Sequence, residues 1–230
     1  MNIFTAEHTP AEVVKAFPKA SDLFKQYKID FCCGGDQSLA SVFLNKDLKE
    51  STILNELNTA YKKWQAEDHE LTNWDDMALS QLIDHIVNHH HRFLEEELAP
   101  LSQFVTKIYK VHGEKHPHLK ELHRLYHELK VELEEHTMKE EAEVFPLIKT
   151  YENQPTEDLL HHIHVANGTL EDEHDHAGAL LKQIREITND FTPPSDACNS
   201  YRITYARLAD LESDTFQHIH LENNVLFHRL

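Results

Sequence analysis

Apolar positions recur with helical periodicity along most of the 230-residue chain, and polar breaks between the periodic stretches mark out the elements. Four long stretches fill the C-terminal two thirds, at about 75–111, 118–150, 157–188 and from 196 to the C-terminus. Between them lie His112-Gly113-Glu114-Lys115-His116-Pro117, Asn153-Gln154-Pro155-Thr156 and Thr192-Pro193-Pro194-Ser195. Long helices joined by short breaks imply antiparallel neighbours in a four-helix bundle, the first of them bent at Pro100. Residues 1–70 read as a separate small helical domain. Thr9-Pro10 opens one short helix there, Pro18-Lys19-Ala20-Ser21 opens another that runs to Tyr27, and periodicity resumes from about Ser38 and over about 51–65. Between these, Gly34-Gly35 predicts a left-handed turn. The polar run Ala66-Glu67-Asp68-His69-Glu70 reads as a linker, with the bundle domain taking 71–230. The fold class is all-α.

Composition sharpens this picture in three ways. Only five glycines, with Leu, Glu, His, Lys and Ala dominant, suit a nearly all-helical chain. A formal charge of -18 argues against nucleic acid or an anionic membrane as partner and suits a protein that attracts cations. Twenty histidines are far more than an average globular chain carries. The N-terminal sequence lacks the basic and apolar regions of a signal peptide, no apolar run approaches the ~18 residues of a membrane span, and three cysteines are not a disulfide framework. The expectation is a soluble, cytoplasmic protein.

The histidines are placed for chemistry. His136 and Glu140 lie four residues apart on the second long helix, and His218 and Glu222 repeat that spacing on the fourth. Positions i and i+4 share one helical face, so an imidazole and a carboxylate there can reach one metal or a metal pair. A bundle site must also lie at one level across the helices. Counted from turn centres near residues 114 and 154, His91, His136 and His174 agree within a helical turn. His218 is offset from His174 by about 9 Å at ~1.5 Å per residue, a mismatch left to the loop around Pro193-Pro194. Other histidines fail on angle or height. At about 100° per residue, His123 and His127 point away from the face of His136, while His89, His176 and His220 each lie two residues from a chosen ligand and so off its face. His112 sits at a turn. Nitrogen and oxygen donors without thiolate suit iron, manganese or zinc, and paired bridging carboxylates in a bundle favour iron or manganese.

Cys32-Cys33 allows two readings. One is a redox or metal-transfer dithiol, the other a pair of small apolar core residues. Cys198, far up the last helix from His218, reads as structural.

These motifs together resemble the RIC (repair of iron centres) family of di-iron proteins, which have a hemerythrin-like C-terminal domain. The resemblance is carried by Asp30-Phe31-Cys32-Cys33-Gly34-Gly35, by Glu135-His136-Thr137-Met138-Lys139-Glu140-Glu141 with Val144-Phe145-Pro146, by Glu173-His174-Asp175-His176-Ala177-Gly178, and by His218-Ile219-His220-Leu221-Glu222-Asn223-Asn224-Val225-Leu226-Phe227. It implies two non-haem iron ions with a bridging oxo or hydroxo group, held by His91, His136, Glu140, His174, His218 and Glu222 with the glutamates as bridges. It implies repair of iron-sulfur clusters damaged by nitric oxide or hydrogen peroxide, with labile iron as the donated species and Cys32 and Cys33 helping iron leave or electrons arrive. Nitric oxide reduction at the same site is the alternative activity. Damaged iron-sulfur proteins are the implied partners, nitric oxide a ligand, and a homodimer one open form of assembly. Oxygen-carrying hemerythrins have a second His four residues after the third-helix ligand; here that position is Gly178, which leaves the site more open and argues against plain oxygen carriage.

Overall fold

The computed structural model describes residues 3–66 and 74–230, and every regular element among them is helical. The boundary expected near residue 70 lies outside the described residues. The chain divides into two compact units, one formed by Met1–Met77 with Ile219–Arg229 and the other mainly by Ala78–His218. Among the described residues no helix is long and apolar enough to cross a membrane.

The first unit holds α1 (Pro10–Ala16), α2 (Ala20–Gln26), α3 (Leu39–Asn45) and α4 (Glu50–Ala66). Local signals place their starts. The Thr9 side chain accepts from the Glu12 amide while Glu12 accepts from the Thr9 amide, with Pro10 at the first turn. The Ser38 hydroxyl caps α3. The core is aromatic, with Phe4, Phe17, Tyr61 and Trp64 packed ring against ring. The one buried amide in this core, Asn58, accepts from the Ile3 and Phe4 amides and donates to the Phe4 and Leu54 carbonyls, so its burial carries no unmet polar group.

The second unit is the bundle: α5 (Leu79–Ile86), α6 (Arg92–His112), α7 (His118–Lys139), α8 (Phe145–Asn153), α9 (Glu157–Ile187) and α10 (Asn199–Leu221). Both α6 and α9 pack along α7. Glu152 of α8 accepts from the Leu79 and Ser80 amides at 2.6 and 3.1 Å, supplying the cap that α5 lacks in its own sequence. Thr156 caps α9, whose first turn carries Glu157 and Asp158.

Three expectations are corrected. The first long helix starts at Leu79 rather than Asp75, and its irregularity is a π-helical turn over Val87–His91, with Pro100 lying inside the continuous α6. The last connection is not a short break, since α9 ends at Ile187 and α10 begins only at Asn199; Asn189, Asp190 and Phe191 all have positive φ, reversing the chain in left-handed backbone. No described glycine has positive φ, so the Gly34-Gly35 turn is not left-handed. Gly35 is required for a different reason: a Cβ there would lie 2.5 Å from the Phe31 carbonyl oxygen, and its own carbonyl accepts from the Ala11 amide.

Candidate metal centre

Among the described residues three π-helical turns interrupt the helices: Val87–His91, Glu140–Val144 and Glu222–Leu226. A π turn inserts one residue into the helical ladder and re-aims the side chains beside it, and such turns collect at functional sites. Here each begins or ends on a residue singled out for metal binding. On α7 and α10 the arrangement is the same: a histidine (His136, His218), then a glutamate four residues on (Glu140, Glu222) that opens the π turn. Buried apolar residues follow each glutamate at the fourth and fifth positions, Val144-Phe145 and Leu226-Phe227, and anchor the turn. The continuous last helix carries His218 and Glu222 on successive turns.

Two donor groups result, and all their members are buried. One is His91, Glu140, His218 and Glu222; the other is His136, Glu140, His174 and Glu222, with the ligand atoms of each group within 4.8 Å of one another. Glu140 and Glu222 belong to both and are fully buried. Among the described residues these are the only such groups, and none contains His89, His112, His123, His127, His176 or His220. Those side chains go elsewhere. His123 and His127 meet the Thr106 hydroxyl, His176 faces Glu128 and Glu132, and buried His220 lies 3.2 Å from the Phe31 carbonyl through Nδ1.

The donor chemistry fits a cation. His91 Nδ1 donates to Glu141 and His136 Nδ1 donates to Glu173, both at 2.8 Å. In a neutral ring so engaged, Nε2 carries the lone pair. Yet the Nε2 atoms of His91 and His136 lie 3.3 and 3.2 Å from the same oxygen, Glu140 Oε2. His91 Nε2 also faces His218 Nε2 at 3.2 Å, and His136 Nε2 faces His174 Nε2 at 2.9 Å. Acceptors converging at these distances repel unless positive charge sits among them. Metal–nitrogen and metal–oxygen bonds of about 2.0–2.2 Å place neighbouring donors about 3–3.4 Å apart, which is the spacing found.

Glu141 and Glu173 are the functional residues that sequence reasoning missed. Glu173 immediately precedes His174 and Glu141 immediately follows Glu140, but adjacency alone does not say which ring each will hold. Glu173 also accepts from Lys139 at 2.6 Å. Burial pushes the Glu173 carboxyl up, but hydrogen bonds from Lys139 and His136 outweigh it and hold the group below the usual carboxylate range. Carboxylate–imidazole pairs of this kind fix ring orientation and strengthen the ligand. A cavity of about 860 Å³ reaches this region, lined by Val87, His91, Leu94, Thr137, Met138 and Glu141 among others.

The dicysteine is built on Asp30, whose Oδ1 accepts from the amides of Cys32, Cys33 and Gly34 at 3.1–3.2 Å. The two sulfurs lie 3.6 Å apart as free thiols, Cys32 buried and Cys33 partly exposed. The hydrogen bond with Cys33, burial, and the nearby Asp30 push the Cys32 thiol well above its ordinary range. The C-terminal segment of the same unit holds the motif in place, with Asn224 donating to the Cys32 carbonyl at 2.9 Å. Cys198 is exposed and lies just before α10.

Comparison with known proteins agrees with this organisation. Residues 6–61 match ScdA_N, described as a domain of unknown function (DUF542), and residues 81–230 match the hemerythrin HHE cation binding domain. The chain is 36% identical over 230 residues to the iron-sulfur cluster repair protein ScdA of Staphylococcus haemolyticus, covering 99% of each chain. It is 37% identical over 218 residues to the iron-sulfur cluster repair protein YtfE of Escherichia coli, covering 95% of this chain and 94% of that one. On this near full-length similarity the chain belongs to the repair-of-iron-centres family, with an ScdA-type N-terminal domain followed by a hemerythrin HHE cation-binding domain.

Proposed function

We propose that the chain repairs damaged iron-sulfur clusters by giving up iron from a paired site. In this reading His91, His136, Glu140, His174, His218 and Glu222 hold two iron ions joined by an oxo or hydroxo group, with both glutamates shared. The observation that carries the reading is the pair of buried nitrogen–oxygen donor groups with two carboxylates in common; the names of the relatives supply the repair role. Bound as a pair, the iron supplies both a redox-active centre and a cargo ion.

The residues make the two halves of the site unequal. The ring of His136 is oriented by Glu173, which Lys139 pins in turn, whereas the ring of His91 is oriented by Glu141, about half exposed and bordering the cavity. The half with His91 and His218 is therefore the one that releases iron. Cys32 and Cys33 assist delivery, and damaged iron-sulfur proteins are the recipients. A second reading is reduction of nitric oxide, favoured because Glu140 and Glu222, common to both donor groups, would hold two ions side by side.

The test is anaerobic iron transfer to a cluster-free acceptor protein. Transfer of one iron faster than the other, slowed by Cys32→Ser with Cys33→Ser while the optical spectrum of the metal centre is unchanged, is the expected result. Normal delivery by the double variant removes the dithiol from the account. Sustained nitric oxide consumption with an electron donor, and no iron transfer, replaces the first reading with the second.

A further inference from the structure

The turn between α6 and α7 carries two histidines that each lie beside one further potential donor, in two pairs rather than a closed group. His112, the last residue of α6, lies 21 positions from His91, about 31 Å along a straight helix, so this turn is separate from the paired site. The His116 amide donates to the His112 carbonyl at 2.8 Å, which sets the two imidazoles one turn apart on the same side of the chain. Both rings pack on Tyr201 of α10, with centroids 5.5 and 5.7 Å from its ring. Asp196 and Cys198, just before α10, face them. His112 Nε2 lies 3.2 Å from Cys198 Sγ, and His116 Nε2 lies 3.5 Å from Asp196 Oδ1. The His116 nitrogen is buried and makes no hydrogen bond within the usual limits. Lys115 pairs with the other oxygen of Asp196, leaving Oδ1 turned to His116.

We propose that His112, His116, Asp196 and Cys198 form a second metal site, selective for a divalent cation of zinc type. Tetrahedral zinc, with bonds of about 2.0–2.2 Å to nitrogen and oxygen and about 2.3 Å to sulfur, spaces a nitrogen–sulfur pair by about 3.5 Å and a nitrogen–oxygen pair by about 3.4 Å. The two observed pairs lie at these spacings. The imidazole centroids are 6.3 Å apart and no three of the four donors yet lie within 4.8 Å of one another, so closing them on one ion requires the partly exposed His112 ring and the exposed Cys198 to turn together toward His116 and Asp196. One thiolate among two imidazoles and a carboxylate favours zinc over magnesium or calcium, and distinguishes this set from the thiolate-free paired site. An ion here ties the α6–α7 turn to the start of α10, closing the end of the bundle where the connection 188–198 has no helical structure of its own.

The experiment uses the full chain with its paired site already filled with iron. Zinc is titrated against a chromogenic chelator, and cobalt(II) is added separately to report a thiolate-to-metal absorption band. The expected result is one further ion per chain, a cobalt–thiolate band, and loss of the band in Cys198→Ser with zinc affinity lowered about 100-fold, the upper end of what losing even an outer partner costs. His116→Gln lowers zinc affinity at least about tenfold and keeps the circular dichroism of the parent, and Cys32→Ser with Cys33→Ser leaves binding and band unchanged. No further equivalent in the parent chain, an unaltered titration in Cys198→Ser, or a band that disappears with the dicysteine instead each overturns the proposal.

Discussion

Removing Glu173 tests how the bundle orients its ligands. Its two oxygens accept from His136 Nδ1 at 2.8 Å and Lys139 Nζ at 2.6 Å, and its side chain is 29% exposed. Glu141 makes the matching contact to His91 Nδ1 at the same distance but is 49% exposed, and among the described residues no Lys or Arg pairs with it. A hydrogen bond to a charged group is worth about 1.5–3 kcal/mol. Loss of such a partner costs about 10–100-fold in metal affinity, or roughly 1.4–2.7 kcal/mol. Glu173→Ala is expected to weaken the ion held by His136 and His174 within that range. Glu141→Ala weakens the ion held by His91 and His218 by less than about tenfold, because water can replace an exposed acceptor. The assay is anaerobic release of iron to a chelator, resolved into two phases. The sign with pH follows from the lowered Glu173 pKa. The native carboxylate is already charged at neutral pH and loses its proton-free form only below the ordinary carboxylate range, so the difference between Glu173→Ala and the parent persists through mildly acidic conditions. Unchanged phases in Glu173→Ala, or both variants altering the same phase, would refute the division of the site into two unequally supported halves.

Two further outcomes follow from particular contacts. Gly35→Ala forces a Cβ to 2.5 Å from the Phe31 carbonyl and is expected to lower stability by about 1–3 kcal/mol, read as a lower Tm; Gly34→Ala, whose Cβ meets only Asp30 atoms at 3.6 Å or more, leaves Tm near the parent value. Burial, with His127 and Lys110 nearby, holds the His123 imidazole below its ordinary pKa, so its contribution to stability is present above the unfolded pKa and fades as pH falls through the folded one. An NMR titration should therefore show His123 protonating below the usual histidine range, and His127→Gln should move it upward; no movement would remove the His–His repulsion.

Much of the fold was legible because ideal helices obey simple periodicity. His136 with Glu140, and His218 with Glu222, follow from the i, i+4 rule, and His91 and His174 follow from counting heights from the turns. Height counting strained at His218 because it assumes symmetric connections. His174 lies 13 residues before the end of α9 (187 − 174), whereas His218 lies 19 past the start of α10 (218 − 199), and residues 188–198 join these unequal arms. The π turns at Val87–His91, Glu140–Val144 and Glu222–Leu226 are not marked by glycine or proline, and a one-residue change of register leaves the surrounding helical periodicity in place. Glu141 and Glu173 were hidden for a related reason. In a chain with 40 acidic residues, a carboxylate beside a ligand is common, and only packing decides that these two meet Nδ1 of His91 and His136. Gly35 was legible as a special position but not as the right kind, since close approach to Phe31 rather than positive φ demands it.

The central claim is most directly tested by metal analysis with an anaerobic optical spectrum of the gently purified protein and of Glu140→Ala combined with Glu222→Ala. The account predicts about two irons per chain in the carboxylate-bridged pair typical of such bundles, with the bridge absorption band lost in the double variant. Zinc in both positions, or a parent chain that holds no metal, would contradict it.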